Sequence, residues 1–95
     1  MLIKGYEVDI KADTYVDNKS LAVYLETKQK ELYAVLTVNI HDSDFCDKDC
    51  QFVDVNNCPW APKFLQDNDL AYPTGRFGDS GFCVYPEYKF NLEKF

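Results

Sequence analysis

The feature that most constrains this sequence is an alternation of apolar and polar residues that recurs through its first 40 positions. Tyr6, Val8 and Ile10 alternate with Glu7 and Asp9. Because successive side chains of a β-strand point to opposite faces, this pattern is typical of a strand with one buried face. The alternation returns in two further runs, which are Leu21, Val23 and Leu25, then Leu32, Ala34, Leu36, Val38 and Ile40. The first part of the chain is therefore predicted to form sheet.

The two later runs predict a β-hairpin, because the charged residues 26–31 separate them. The second arm also carries Tyr33, Val35 and Thr37 between its main apolar positions. Side chains suited to burial thus lie on both faces of this arm. We expect it to be an inner strand that is covered on both sides.

The second half of the chain predicts one short helix. Asn56 or Asn57 can cap its first turn, and the prolines that follow are tolerated there. Trp60 and Phe64 lie four residues apart, so they share one helix face, and the helix should end near Asn68. Strands are expected on either side of it, at residues 52–55 and 82–90, with four aromatic side chains of the last strand in the core: Phe82, Tyr85, Tyr88 and Phe90.

Length and composition bound the architecture that these elements can form. The chain has 95 residues, of which 46% are hydrophobic and 16% aromatic, which is enough to fold and to pack one modest core. We therefore predict a single domain over residues 1–95. Its expected class is α+β, with a mostly antiparallel sheet of four to five strands and one short helix.

Residues 73–81 contain three glycines and predict a loop. Its end, Gly78-Asp79-Ser80-Gly81, matches the residues around the nucleophile of chymotrypsin-like serine proteases. Such a protease needs a base and an orienting carboxylate across two barrels, and this chain is too short and has His41 as its one histidine. The structural interpretation is a turn in which glycines adopt positive φ.

Four residues are predicted to shape this loop and the strand after it. Gly75, Gly78 and Gly81 are assigned to the loop for their backbone freedom. Pro86 has no N–H to donate to a ladder, so it should push part of the last strand to a sheet edge or into a bulge.

The net charge of −6 is concentrated in the middle of the chain, where residues 41–69 carry seven acidic and two basic side chains. A negative field repels nucleic acid and favours basic protein surfaces, so we predict a protein partner and no direct contact with nucleic acid. The residues proposed to bind that partner are Asp42, Asp44, Asp47, Asp49 and Asp54. A calcium loop counted from Asp42 fails, because its sixth and twelfth positions are Asp47 and Val53 rather than Gly and Glu.

The N-terminus lacks the features of a signal peptide, and no apolar run could cross a membrane. We therefore expect a cytoplasmic protein without membrane contact, whose cysteines are thiols. His41 with Cys46, Cys50 and Cys58 could bind zinc, although the spacing lacks a C-x2-C knuckle. No metal or cofactor is predicted, and Cys83 is expected to pack in the core rather than to act as a nucleophile.

The part of the chain from residue 52 to residue 92 resembles a family of small uncharacterised acidic bacterial proteins encoded on conjugative transposons, plasmids and phages of gut bacteria. The matching patterns, in order, are Asp-x-Asn-Asn, Pro-Thr-Gly and Ser-Gly-Phe-Cys-x-Tyr-Pro, within residues 52–57, 64–65, 73–76, 80–83 and 85–90. The resemblance implies no assigned reaction. Small acidic proteins of mobile elements often inhibit host defence nucleases, so it implies a partner of that class.

These observations lead to one functional hypothesis and two alternatives. The hypothesis is a non-enzymatic binding protein of a mobile genetic element, which inhibits a host defence complex of the restriction or CRISPR type by protein–protein contact. The first alternative is a small metal-binding or enzymatic module that uses His41 with cysteines. The second is a structural interaction domain of unknown purpose.

Overall fold

The computed structural model describes residues 1–17, 19–40 and 48–95, and these build two antiparallel sheets with one short α-helix and a final turn of 3-10 helix. The strands are β1 Leu2–Ile3, β2 Tyr6–Thr14, β3 Leu21–Thr27, β4 Leu32–Val35, β5 Thr37–Val38, β6 Cys50–Val53, β7 Ala71–Ser80 and β8 Cys83–Phe90. The helix α1 spans Ala61–Asp67, and the 3-10 turn spans Leu92–Lys94. The described residues form a small single domain with a radius of gyration of 12.6 Å.

The first sheet has the strand order β1-β2-β3-β4, and the second has the order β5-β6-β8-β7. The α+β class with mostly antiparallel pairing and one short helix is thus confirmed at this level. The prediction of one sheet with four to five strands was wrong, because the eight strands of the described residues divide equally between two sheets. Alternation along each strand identifies its buried face, but it does not state which sheet the strand joins.

The predicted hairpin is present, and its second arm differs from expectation. β3 pairs with β4, which lies at the edge of the first sheet, and Leu32 is exposed there. The arm then breaks at Leu36, whose N–H donates to Val23 of β3 and whose carbonyl accepts from the N–H of Asp54, after β6. The expected inner strand is therefore two short strands, and Leu36 is the point where the chain crosses from one sheet to the other.

The main core lies between the two sheets and α1. Val8 and Ile10 of β2 and Val23 and Leu25 of β3 face it, as their alternation predicts. Buried Gln51 of β6 ties the two sheets together, because its Nε2 donates to the carbonyl of Leu21 at 2.7 Å. A smaller cluster on the opposite face of the second sheet consists of Ile40, Phe52 and Tyr85. β6 is consequently buried on both faces.

The helix α1 begins at Ala61 and has Trp60 as its N-cap residue, with no side-chain cap. The predicted asparagine cap was wrong, since the amide of Asn57 instead donates to the carboxylate of Asp54 at 2.9 Å. The predicted end near Asn68 and the shared face of Trp60 and Phe64 are confirmed, and these two rings pack edge to face at 6.1 Å. No helix among the described residues has the length and apolar composition to cross a membrane.

Candidate functional site: the tip of the β7–β8 hairpin

The hairpin of β7 and β8 has two halves that meet different surroundings. At its base, Ala71 pairs with Phe90, and both side chains are buried in the main core. Towards the turn, Phe77 pairs with Pro86, and Asp79 pairs with Val84. Paired residues share a face and the face repeats every second residue, so these four extend the face that carries Phe90 beyond the end of the core.

Three apolar side chains in this outer half are exposed, and we call them the hairpin tip. Phe77 is 66% exposed, Val84 is 56% exposed, and Phe82 is fully exposed at 108% of its reference value. Phe77 and Val84 are diagonal neighbours across the two strands, and Phe82 lies in the turn. A cluster of large apolar side chains that is left in water marks a candidate binding surface.

The turn itself explains the glycine-rich sequence. Ser80 pairs with Cys83, which leaves Gly81 and Phe82 as a two-residue connection, and Gly81 has φ of +61°. Two-residue hairpin turns of this kind place glycine first because its backbone must adopt positive φ. Gly81 therefore lies in a turn at positive φ, although most of the predicted loop around it is strand. The prediction that Phe82 lies in the core was wrong, because the second residue of so short a turn projects into solvent, whereas Tyr85, Tyr88 and Phe90 are buried as predicted.

The rest of the predicted loop is a strand. Gly78, Asp79 and Ser80 belong to β7 and all pair with β8, so Ser80 lies in a strand rather than on a loop that could present a nucleophile. Gly78 has no positive φ, and the prediction for it was wrong in mechanism. A Cβ at this position would lie 2.8 Å from the Phe52 ring, so glycine is required for close packing. His41, the proposed base, lies outside the described residues.

A bulge separates the two halves of the hairpin. The register shifts between Pro73 and Phe77, and Gly75 within the bulge has φ of +91°, a backbone angle that glycine adopts without strain. Pro86 lies opposite Phe77, at the edge of this irregularity. Of the two positions predicted for Pro86, the structure shows the bulge, and the pairing of β8 with β6 extends only from Glu87 to Lys89.

Opposite the bulge, the side chain of Glu87 is fully buried. Its Oε1 accepts a hydrogen bond from Thr74 Oγ1 at 2.8 Å and lies 3.8 Å from Arg76 Nε. Its Oε2 has no hydrogen-bond partner among the described residues. Thr74 Oγ1 also accepts from the backbone N–H of Arg76 at 3.3 Å, so these three side chains hold the bulge in one conformation. The Arg76 side chain remains 44% exposed beside the hairpin tip.

Of the acidic residues proposed to bind a partner, the two that the structure describes, Asp49 and Asp54, do not lie at the hairpin tip. Asp42, Asp44 and Asp47 lie outside the described residues. Asp49 is half-buried, and its backbone carbonyl accepts from the N–H of Phe90 at 2.9 Å. Asp54 is buried, and its carboxylate accepts from both the backbone N–H and the side-chain amide of Asn57. We therefore assign Asp54 to the turn after β6 rather than to a partner surface.

The cysteines differ from the expectation of four thiols. Cys50 is disulfide-bonded, whereas Cys58 and Cys83 are free. A sulfur in a disulfide carries no thiolate for zinc, so Cys50 leaves the hypothetical ligand set, and His41 and Cys46 lie outside the described residues. No group of three or more metal-ligating side chains occurs in the described part of the chain.

The two free thiols have different surroundings. Burial raises the pKa of the Cys58 thiol, and the nearby Asp54 carboxylate raises it further. This thiol stays protonated at neutral pH, and a protonated thiol is a poor nucleophile. Cys83 packs against the smaller cluster. The hydrogen bond between Cys83 and Tyr85 raises the pKa of the Tyr85 phenol, and burial of the phenol raises it further.

An open groove away from the hairpin tip lies between β1 and α1, with a volume of about 340 Å³. Leu2, Trp60 and Phe64 supply its apolar lining. The ammonium of Lys63 at its rim is paired with Asp67 at 2.7 Å, in an exposed i,i+4 ion pair on α1. Ligand sites usually combine an apolar lining with convergent polar groups, and here two of the polar groups satisfy each other. The hairpin tip is the stronger candidate.

Comparison with known protein families identifies the family to which this chain belongs. Residues 9–95 match a domain of unknown function, DUF4313, so the chain belongs to the DUF4313 family. No curated protein and no solved structure matches the chain. The family match includes both strands of the hairpin, the bulge and the turn.

Proposed function

We propose that this protein is a non-enzymatic binding protein that contacts a protein partner through the hairpin tip. The observation that carries the proposal is the exposure of Phe77, Phe82 and Val84 at the end of a hairpin whose base is fixed in the core. Burying exposed apolar area on association contributes roughly 25 cal/mol per Å². The packed base fixes the backbone of the hairpin before binding, which reduces the entropy that association costs.

Arg76 adds a polar anchor beside this apolar surface. Its guanidinium is held near the buried carboxylate of Glu87, and its exposed part can donate to acceptors on a partner. Aromatic residues and arginine are the side chains most often found at the energetic centres of protein interfaces. Phe77, Phe82 and Arg76 supply such a centre within seven residues.

Charge favours a basic partner over a second copy of this chain. The net charge is −6, so two copies repel each other, whereas a positively charged surface is attracted. The two exposed phenylalanines offer roughly 300 to 500 Å² together, at about 150 to 250 Å² each, whereas a standard stable interface needs about 800 Å² from each partner, so the partner must also contact the surface around the tip. A basic protein with an apolar pocket for the tip is the occupant we propose.

The resemblance to proteins of mobile elements extends this proposal to a class of partner. Defence nucleases of the restriction or CRISPR type bind nucleic acid and therefore carry basic surfaces, which an acidic protein can approach. We propose a host complex of this kind as the partner. A metal-binding or enzymatic module using His41 with cysteines, and an interaction domain of unknown purpose, are the alternatives.

The test compares two equally simple surface changes. Phe82→Ser removes an aromatic side chain from the hairpin tip, and Leu32→Ser removes an exposed apolar side chain from the edge of the first sheet. A protein retained from an extract of the host bacterium by the parent is identified, purified and titrated against all three proteins by calorimetry.

We expect Phe82→Ser to weaken binding at least tenfold, which corresponds to about 1.4 kcal/mol. Leu32→Ser should bind as the parent does. Equal affinities for all three proteins would overturn the assignment of the hairpin tip, and so would an equal loss in both variants. Measured turnover by the purified protein would support the enzymatic alternative instead.

A further inference from the structure

The strand β7 lies at an edge of the second sheet, and β8 is its neighbour on one side. Within the described residues, no strand pairs with its other side. Sheet edges are templates for additional strands, and proteins usually protect them with prolines, bulges or charges. The half of β7 near the base is protected in this way, because Pro73 and the bulge at Gly75 interrupt it. Residues 77–80 pair regularly with β8 and lack such an interruption.

The two-residue turn determines which backbone groups of this segment are directed outwards. The residues that flank such a turn, Ser80 and Cys83, form a hydrogen-bonded pair, and pairs alternate along an antiparallel ladder. Gly78 therefore also bonds β8, whereas Phe77 and Asp79 direct their N–H and carbonyl groups away from it. Pro86, which lies opposite Phe77, fits this alternation. The residue at that position donates no hydrogen bond to β7, so the missing N–H of proline costs the ladder nothing.

We propose that residues 77–80 of β7 receive an extended segment of the partner as an added strand. This inference rests on the proposed function and states how the partner is held. The main-chain N–H and carbonyl groups of Phe77 and Asp79 would form hydrogen bonds with the added strand, and their side chains would select its sequence. Phe77 and Asp79 share one face of the sheet. The segment therefore carries an apolar residue opposite Phe77 and, two positions away, a lysine or arginine opposite Asp79.

Charge complementarity argues for this occupant over a second copy. Asp79 is the charged side chain on the regular part of the edge, and the whole chain carries −6. A basic segment neutralises both the local and the overall charge. An added copy of β7 brings a second chain of the same sign to the same edge.

The probe is a capped seven-residue peptide with the sequence Thr-Lys-Thr-Tyr-Thr-Lys-Thr, in which tyrosine and two lysines share one face. It is titrated into the isotopically labelled protein, and amide chemical shifts are followed by NMR. The control peptide has glutamate in place of both lysines. We expect the largest shifts at Phe77, Gly78 and Asp79 with the basic peptide and a binding constant at least tenfold weaker with the acidic one.

Two variants separate the backbone from the side chain at position 79. Asp79→Pro removes the outward N–H, and proline is tolerated on a strand edge that faces solvent. Asp79→Asn removes the charge and keeps the N–H. We expect at least a tenfold loss of peptide binding for Asp79→Pro and a smaller loss, of a few fold, for Asp79→Asn. Equal binding by Asp79→Pro and the parent would overturn the proposal, as would shifts centred elsewhere or no binding of the peptide.

Hydrogen exchange on the parent protein covers the case in which Asp79→Pro does not fold. Saturating peptide should slow exchange at the amides of Phe77 and Asp79 at least tenfold and leave those of Gly78 and Ser80 unchanged. Unchanged exchange at Phe77 and Asp79 would refute strand addition. If Phe82→Ser loses the identified partner while the β7 edge stays unprotected, the proposed function stands and this inference fails. If the edge binds the peptide while Phe82→Ser keeps the partner, strand addition at β7 stands and the assignment of the hairpin tip fails.

Discussion

The base and the tip of the β7–β8 hairpin lie at opposite ends of the same two strands, yet one is covered and the other is not. At the base, Phe90 is 2% exposed and packs edge to face on Phe95, with ring centroids 6.4 Å apart. At the tip, Phe77 and Phe82 are in water. The bulge fixed by Glu87 lies between them. The phenylalanines of one hairpin thus have different roles. Phe90 contributes to stability, whereas Phe77 and Phe82, as we propose, contribute to binding.

The largest difference between the two halves should be seen when one phenylalanine is truncated in each. Phe90→Ala removes a buried ring, which typically costs about 3 to 5 kcal/mol of unfolding free energy, as lost burial and a cavity combine. Phe82→Ala removes an exposed ring and should change the unfolding free energy by no more than about 0.5 kcal/mol. Urea unfolding followed by circular dichroism measures both values. Comparable losses for the two variants would show that the tip is packed rather than free.

A second test concerns the close contact between Gly78 of β7 and the Phe52 ring of β6, on one face of the second sheet. Gly78→Ala places a Cβ 2.8 Å from the Phe52 ring, so that the ring must move, and overpacking of this kind costs roughly 1 to 3 kcal/mol. Asp79→Ala, at the exposed neighbouring position, is the matched control and should shift stability by no more than about 0.5 kcal/mol. Thermal melts compare the variants. A Gly78→Ala protein as stable as the parent would contradict the packing argument.

The third test addresses the bulge that divides the halves. Thr74→Val removes the hydroxyl that donates to Glu87 Oε1 at 2.8 Å, and depriving a buried carboxylate of a donor costs about 1 to 3 kcal/mol. Thr14→Val, on an exposed strand position, controls for the change in side-chain type. Urea unfolding gives the stabilities, and NMR shifts at Phe77 show whether the tip has moved. Equal stabilities for the two variants would mean that Thr74 does not support the bulge.

The sequence was sufficient for the elements whose pattern is local. The alternation of Val8 and Ile10 with polar neighbours predicted β2, and the spacing of Trp60 and Phe64 predicted the shared face of α1. The division into two sheets was not predictable in this way. It depends on Leu36, which is apolar like its neighbours and whose backbone bonds to both sheets. Nothing in an alternating pattern distinguishes a strand that continues from one that crosses between sheets.

The candidate site was missed for a related reason. Three glycines in residues 73–81 favoured a loop, whereas Gly75 serves a bulge, Gly78 a close contact and Gly81 a turn, all within one hairpin. The signal for the tip was present in the Gly81-Phe82 pair, because a two-residue turn with glycine first exposes its second residue. The proximity of Thr74 and Arg76 to Glu87 required the register of β7 and β8, which local sequence does not give.

The smallest expected effect belongs to Ser80, the residue that resembles a protease nucleophile. Its side chain is exposed and its backbone pairs with Cys83, so Ser80→Ala should leave stability within about 0.5 kcal/mol of the parent. Gly81→Val should lower stability by about 1 to 2 kcal/mol, since a β-branched residue at φ of +61° is strained. Thermal melts and fluorophosphonate labelling of the three proteins test this order. A nucleophilic serine predicts a labelled parent and an unlabelled Ser80→Ala protein of equal stability, whereas a hairpin position predicts that none of the three is labelled and that the melting temperature falls for Gly81→Val alone.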